Sequence, residues 1–122
     1  MSYITSGEMT PEALFTALSD ATRLRALMLA HAEGEVCVCE LTYALEESQP
    51  KISRHLALMR EAGIVAARRE GTWMHYRIDP GLPRWALAVV ADTHGHLQAL
   101  PPYRDDRERL AGMNNRPERV CA

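Results

Sequence analysis

Three features of the 122-residue chain predict a mainly α-helical fold with one β-hairpin (α+β). Apolar residues recur at three- and four-residue spacing through most of the chain. Two short helical patterns meet at a polar turn, Glu46-Glu47-Ser48, and the second is both amphipathic and basic. Directly after it the period changes to that of two strands around Glu70-Gly71. A tight helix pair followed by a hairpin is a winged helix-turn-helix, and the apolar C-terminal helix predicts a homodimer.

The first helix starts at Thr10-Pro11, with Thr10 as N-cap and Pro11 in the first helical position; Leu14, Ala17 and Leu18 follow at helical spacing. Ser19 or Asp20 caps a second helix, whose inward face is read as Leu24, Leu27, Met28 and His31, and Gly34 ends it. A third helix is expected over residues 39–45. Its start is open, because Val36-Cys37-Val38-Cys39 has as much strand as helix character. Ser48 caps the fourth helix, Pro50 sits in its first turn, Ile52, Leu56 and Met59 form the core stripe, and Gly63 stops it. Residues 64–69 and 72–78 are the hairpin strands. Alternation puts Trp73 and His75 on one face of the second strand and Met74 and Tyr76 on the other, with at least one set in the core.

Pro83 opens another helix, in which Trp85, Leu87, Ala88, Val89 and Leu97 make an apolar surface wider than one stripe. Such a surface calls for a partner, and a second protomer is the natural one. Pro101-Pro102 breaks this helix. Residues 1–100 are therefore read as a DNA-binding and dimerisation domain. Residues 101–122 are a C-terminal extension with a short helix over 103–110, then a mobile tail from Gly112 that contains Cys121.

The net charge of −2 hides a segregation. Residues 1–47 carry a balance of −6, residues 48–77 a balance of +4, and the remainder is neutral. The basic segment holds Lys51, Arg54, Arg60, Arg68, Arg69 and Arg77, a footprint suited to phosphate. No apolar run approaches the roughly 18 residues a membrane helix needs. The first residues lack the pattern of a signal peptide, so a cytoplasmic protein with reduced cysteines is expected. Three cysteines cannot all pair within one chain, and a bridge between Cys37 and Cys39 is expected to be strained. Thiol ligation or reactivity is therefore favoured over a disulfide scaffold.

Soft thiolates at Cys37 and Cys39 suit thiophilic ions, and a lone Cys-x-Cys lacks the four ligands of a structural zinc site. On an ideal helix, residues two apart point about 200° away from each other, so both sulfurs reach one ion only if the backbone at Val38 is non-helical. A helix that began earlier would have to unwind its first turn on binding. On the basic helix, Gln49 can pair with adenine, and Lys51 or Arg54 can reach guanine or phosphate. Ser48, Ser53 and His55 add contacts, and the wing tip at Arg69 and Gly71 reaches a neighbouring groove or phosphate. Arg60, later on the helix, is assigned to phosphate or an ion pair.

The run SQPKISRHLALMREAGIV followed by GTWMHYRI resembles the helix-turn-helix and wing of the ArsR/SmtB family of metal-responsive repressors. The preceding EVCVCEL resembles the metalloid motif of that family's trivalent-arsenic-sensing branch. The resemblance spans about residues 14–85. It implies a homodimer that binds a palindromic double-stranded operator and leaves it when arsenite or antimonite binds Cys37 and Cys39. Well-known members carry a third cysteine three residues after the pair. This chain has Thr42 there, so a hydroxide, another ligand or Cys121 would complete the set. Asp92 and His94 resemble half of the zinc site of zinc-sensing relatives. His96 adds a candidate ligand, but Pro101-Pro102 separates Asp105 and Glu108 from them. No phosphate loop and no nucleophile–base constellation points to an enzyme. The competing readings are a thiolate sensor of cadmium or lead and a thiol redox-switch repressor.

Overall fold

A computed structural model of the protein describes Tyr3 and residues 8–116. In chain order these form α1 (Pro11–Leu18), α2 (Ala21–Glu33), β1 (Val36–Cys37), α3 (Val38–Leu45), α4 (Gln49–Glu61), β2 (Val65–Glu70), β3 (Trp73–Ile78), α5 (Arg84–Leu97) and α6 (Tyr103–Ala111). The strands form one antiparallel sheet in the order β1-β3-β2. The architecture is the expected winged helix-turn-helix, with α3 and α4 as the helix pair and β2–β3 as the wing. No helix among the described residues is long and apolar enough to cross a membrane.

Local chemistry sets the helix starts. The Thr10 hydroxyl accepts the Ala13 N–H at 3.1 Å, with Pro11 at the first helical position where no N–H is needed. Asp20, rather than Ser19, caps α2 by accepting the Arg23 N–H at 3.0 Å. Ser48 caps α4 by accepting the Lys51 N–H at 3.3 Å. Between α3 and α4 the chain reverses at Glu46, which takes a left-handed conformation with φ 55°.

α2 is the central helix and packs against α1, α3, α4, α5, α6, β1 and β3. Its residues Ala26 to Ala30 are all buried, so it lacks the single apolar stripe that sequence periodicity seeks. His31 lies on the exposed side and packs at a tilt against His94, with ring centroids 4.8 Å apart and planes 55° apart. Leu14, Leu27, Leu41, Leu45, Ile52, Met59, Ile64 and Leu110 fill the centre. Each such burial contributes about 1.5–3 kcal/mol.

Leu110 belongs to α6, which packs on α2 and α3. Asp106 on the same helix is buried and held by Arg25 at 2.6 Å. The segment after Gly112 is tied down as far as Arg116, which pairs with Glu33 and Glu40 at 2.7 Å each.

The wing turns through Gly71-Thr72 with Gly71 at φ 62°, a conformation that favours glycine. The two-residue strand β1 is the element that periodicity left open. It pairs with β3 through Val36↔Tyr76 and Cys37↔His75. The first thiol is thereby built into the edge of the wing sheet.

Candidate DNA-reading and thiol site

Cys37 has extended backbone (φ −99°, ψ 165°) and is the N-cap of α3, so the helix begins between the two thiols. Its sulfur accepts the Glu40 N–H at 3.4 Å, while the Glu40 carboxylate accepts the Cys37 N–H at 2.9 Å. This is a capping box with sulfur in place of a serine oxygen. Glu40 is fully buried, and its second oxygen takes the Arg116 guanidinium.

Because Cys37 is extended and Cys39 is helical, their side chains converge instead of diverging. The two sulfurs are in direct contact with disulfide connectivity, with Cα atoms 5.4 Å apart. From sequence, the sulfurs reach one ion only if the backbone at Val38 is non-helical, with unwinding needed only for a helix that starts before the pair; here Val38 is the first helical residue and the extended residue is Cys37. In the structure the two sulfurs already meet, so bringing them together requires no unwinding.

Thr42, where a third thiol is expected by resemblance, donates its hydroxyl hydrogen to the Val38 carbonyl at 2.9 Å. Cys121 lies outside the described residues. Among the described residues no cluster of three or more His, Cys, Asp or Glu side chains is placed to hold a metal ion. Asp92 and His96 are exposed on α5, and His94 is turned onto His31, where burial lowers its pKa.

Cys39 opens onto a half-open surface groove of about 600 Å³ between α3, the start of α4 and the wing. Thr42, Tyr43, Trp73, Met74 and Tyr76 line it, together with Gln49 and Ser53 of α4.

On α4, Ser48, Gln49 and Arg54 are exposed, and Ser53 is half-buried beside the groove. Lys51 is held by Glu47 at 2.8 Å, one turn earlier. At the wing tip Arg69 and Gly71 are exposed.

His55 is a correction. It is buried, with Nδ1 3.1 Å from the Arg23 guanidinium and Nε2 3.9 Å from Asp20. Burial is the main cause of its lowered pKa, reinforced by Arg23, Arg54 and Lys51 and opposed by Asp20. It fixes α4 against α2 and the end of α1, so it does not face outward with Arg54.

Arg68 is a second correction to the basic footprint. It is buried, and its guanidinium clasps Glu35 in two hydrogen bonds of 2.6 and 2.7 Å. Glu35 also accepts the Tyr3 hydroxyl. Burial of Glu35 opposes its ionisation, but Arg68 and Tyr3 outweigh it and hold the carboxyl at about 2. His75 lies fully buried beside this pair, 3.8 Å from Glu35 and 3.7 Å from Glu70. Burial and Arg68 push its pKa down. Sequence reading missed this cluster. Its signal was the hairpin register, which sets Arg68 opposite His75.

A family model for bacterial regulatory proteins of the arsR family matches residues 20–67. The chain is 50% identical over 115 residues to the arsenic resistance transcriptional regulator ArsR1 of Pseudomonas putida, covering 93% of this chain and 88% of that one. Its fold is similar to the crystal structure of the AntR antimony-specific transcriptional repressor, with TM-score 0.60, 27% identity, and 72% of this chain and 77% of that one covered. It is also similar to the homodimeric winged helix-turn-helix domain Mb0332 of Mycobacterium bovis, with TM-score 0.55, 29% identity, and 74% and 83% covered.

Proposed function

The chain belongs to the arsR family of bacterial regulatory proteins, and we propose that it is a cytoplasmic repressor that senses arsenite and antimonite. In this reading the metalloid-free homodimer holds a palindromic double-stranded operator. As(III) or Sb(III) binding at Cys37 and Cys39 releases it. The observation that carries the reading is the convergence of the two sulfurs at the point where β1 hands over to α3. From there two connections lead to DNA. One is the backbone pairing of Cys37 with His75 on the wing strand; the other is the packing of α3 on α4.

Gln49 and Arg54 read base edges or phosphate, Ser48, Lys51 and Ser53 support them, and Arg69 with Gly71 brings the wing to the backbone. The third coordination position is filled by hydroxide or by Cys121. Cys121 follows Arg116, which is anchored at Glu40, by five positions in the sequence.

The test is operator release titrated with arsenite, antimonite, cadmium, lead and zinc, repeated with Cys121→Ser. Release by arsenite and antimonite at the lowest concentrations supports the assignment. Release by cadmium or lead alone transfers the site to those ions. Loss of response in Cys121→Ser makes the site a three-thiol one. The sulfur–sulfur contact favours one second reading, a dithiol–disulfide switch. Release by peroxide without any metalloid would establish that reading instead.

A further inference from the structure

Resting on the assignment of α4 as the DNA-reading helix, we propose that His55 positions this helix for DNA, and does so only as the neutral imidazole, so that operator binding weakens in mild acid. The geometry defines the tautomer. A guanidinium carries only donors and stays charged, so His55 Nδ1, 3.1 Å from Arg23 Nη1, is the acceptor and the ring proton sits on Nε2. The other arm of the same guanidinium donates to the Thr16 carbonyl at 3.2 Å, in the last turn of α1. Arg23 therefore ties α4, through His55, to both α1 and α2. The buried stripe Ile52, Leu56 and Met59 holds α4 to the core without direction, and the bond from Arg23 adds direction. His55 adjoins Arg54 in the chain, so any movement of its seat shifts the exposed guanidinium that meets DNA.

Protonation reverses the contact. An imidazolium has a donor on each nitrogen, so Nδ1–H would face the N–H of a second cation, at a residue only 8% exposed. Lys51 and Arg54 on α4 add to the repulsion. Asp20, 3.9 Å from Nε2, and Glu47, just before α4, oppose it. Asp20 is already engaged, because its carboxylate caps α2 by accepting the Arg23 N–H at 3.0 Å. Burial is the largest effect and the balance favours the neutral ring, holding its pKa below the ordinary 6.5. The Arg23–His55 bond is thus intact at pH 6.5 and is lost as the pH falls further, through the lowered value.

Solvent reaches this junction from the Arg23 side, through an open groove lined by Thr16, Arg23 and Met59. The direction of the effect is diagnostic. A histidine that faced DNA would tighten binding in acid, since phosphate favours the imidazolium.

The experiment uses phosphine-reduced, metalloid-free full-length protein and a labelled duplex enriched on wild type from a random-sequence pool. Affinity is measured from about pH 8 to about pH 5, across the ordinary imidazole range, for wild type, His55→Asn, His55→Leu and Arg54→Ala. Asparagine offers Arg23 an amide oxygen but binds no proton; leucine fills space and accepts nothing. At about pH 8, His55→Leu is expected to bind roughly ten-fold more weakly than wild type, with His55→Asn recovering most of that loss. Towards about pH 5, wild type is expected to lose roughly ten-fold more affinity than His55→Asn. Ring-nitrogen NMR of wild type at neutral pH is expected to show a bare Nδ1 and a proton on Nε2, a readout that needs no variant to fold. Parallel pH profiles, a gain of wild type over His55→Asn in acid, or a proton on Nδ1 at neutral pH would each overturn the inference. Arg54→Ala separates such a failure from a deeper one: if it binds the duplex as tightly as wild type, the assignment of α4 as the reading helix falls as well.

Discussion

Arg54 stands exposed on α4, whereas Lys51 is engaged by Glu47 at 2.8 Å and His55 is turned inward. Truncating Arg54 to alanine should therefore weaken operator binding by about 1–3 kcal/mol, roughly five- to 150-fold. Fluorescence anisotropy reads that loss, and arsenite binding to the same variant should stay unchanged. Glu35 makes a different residue-scale prediction. Its carboxyl is held at about 2 against an ordinary 4.5, so the folded state binds its proton more weakly than the unfolded chain. That contribution is fully present above pH 4.5 and is lost as the pH falls from 4.5 towards 2. Glu35→Gln should be less stable than wild type at neutral pH, with the gap closing across that window in urea titrations.

The core stripe Ile52, Leu56 and Met59 was legible from spacing alone, as was the Ser48 cap. The inward turn of His55 was not, because the contacts that fix it come from Asp20 and Arg23, more than thirty positions earlier.

At the scale of elements, a residue of the proposed sensing pair also holds the start of α3 in place. Its first turn is closed by the reciprocal Cys37–Glu40 cap, and the buried Glu40 carboxylate also anchors Arg116. Glu40→Ala leaves the Cys37 N–H without its acceptor and should cost about 2–3 kcal/mol in urea unfolding. Glu40→Gln keeps an oxygen for that N–H and should recover part of the loss. The sequence left the start of this helix open between strand and helix. In the fold Cys37 belongs to both, as the last residue of β1 and the cap of α3. Its pairing partner, His75, is nearly forty positions away, so local propensity alone could not decide. The hairpin and its glycine turn were readable because they are local; β1 was not, because a two-residue strand exists only through its pairing with β3.

At the scale of the whole molecule, α5 divides its apolar residues between two duties. Ala86 and Val90 are buried within the protomer, while Trp85 is 41% exposed and stacks with Phe15 of α1, itself 54% exposed, at 6.4 Å between ring centroids. The wide apolar surface expected of this helix is thus partly core and partly an outward face shared with α1. If that face joins two protomers, Trp85→Asp should convert the dimer to a monomer in light scattering at micromolar concentration. It should also abolish high-affinity operator binding, since one protomer would span only half of the proposed palindrome.

Control of DNA release is proposed to rest on the two converging sulfurs of Cys37 and Cys39. Its most direct measurement is arsenite titration of reduced protein bound to labelled operator DNA, comparing wild type with Cys37→Ser and Cys39→Ser. Wild type should release DNA stoichiometrically, and both variants should retain it across the whole titration, with unchanged affinity before arsenite is added. Release of either serine variant at the wild-type concentration would contradict that control.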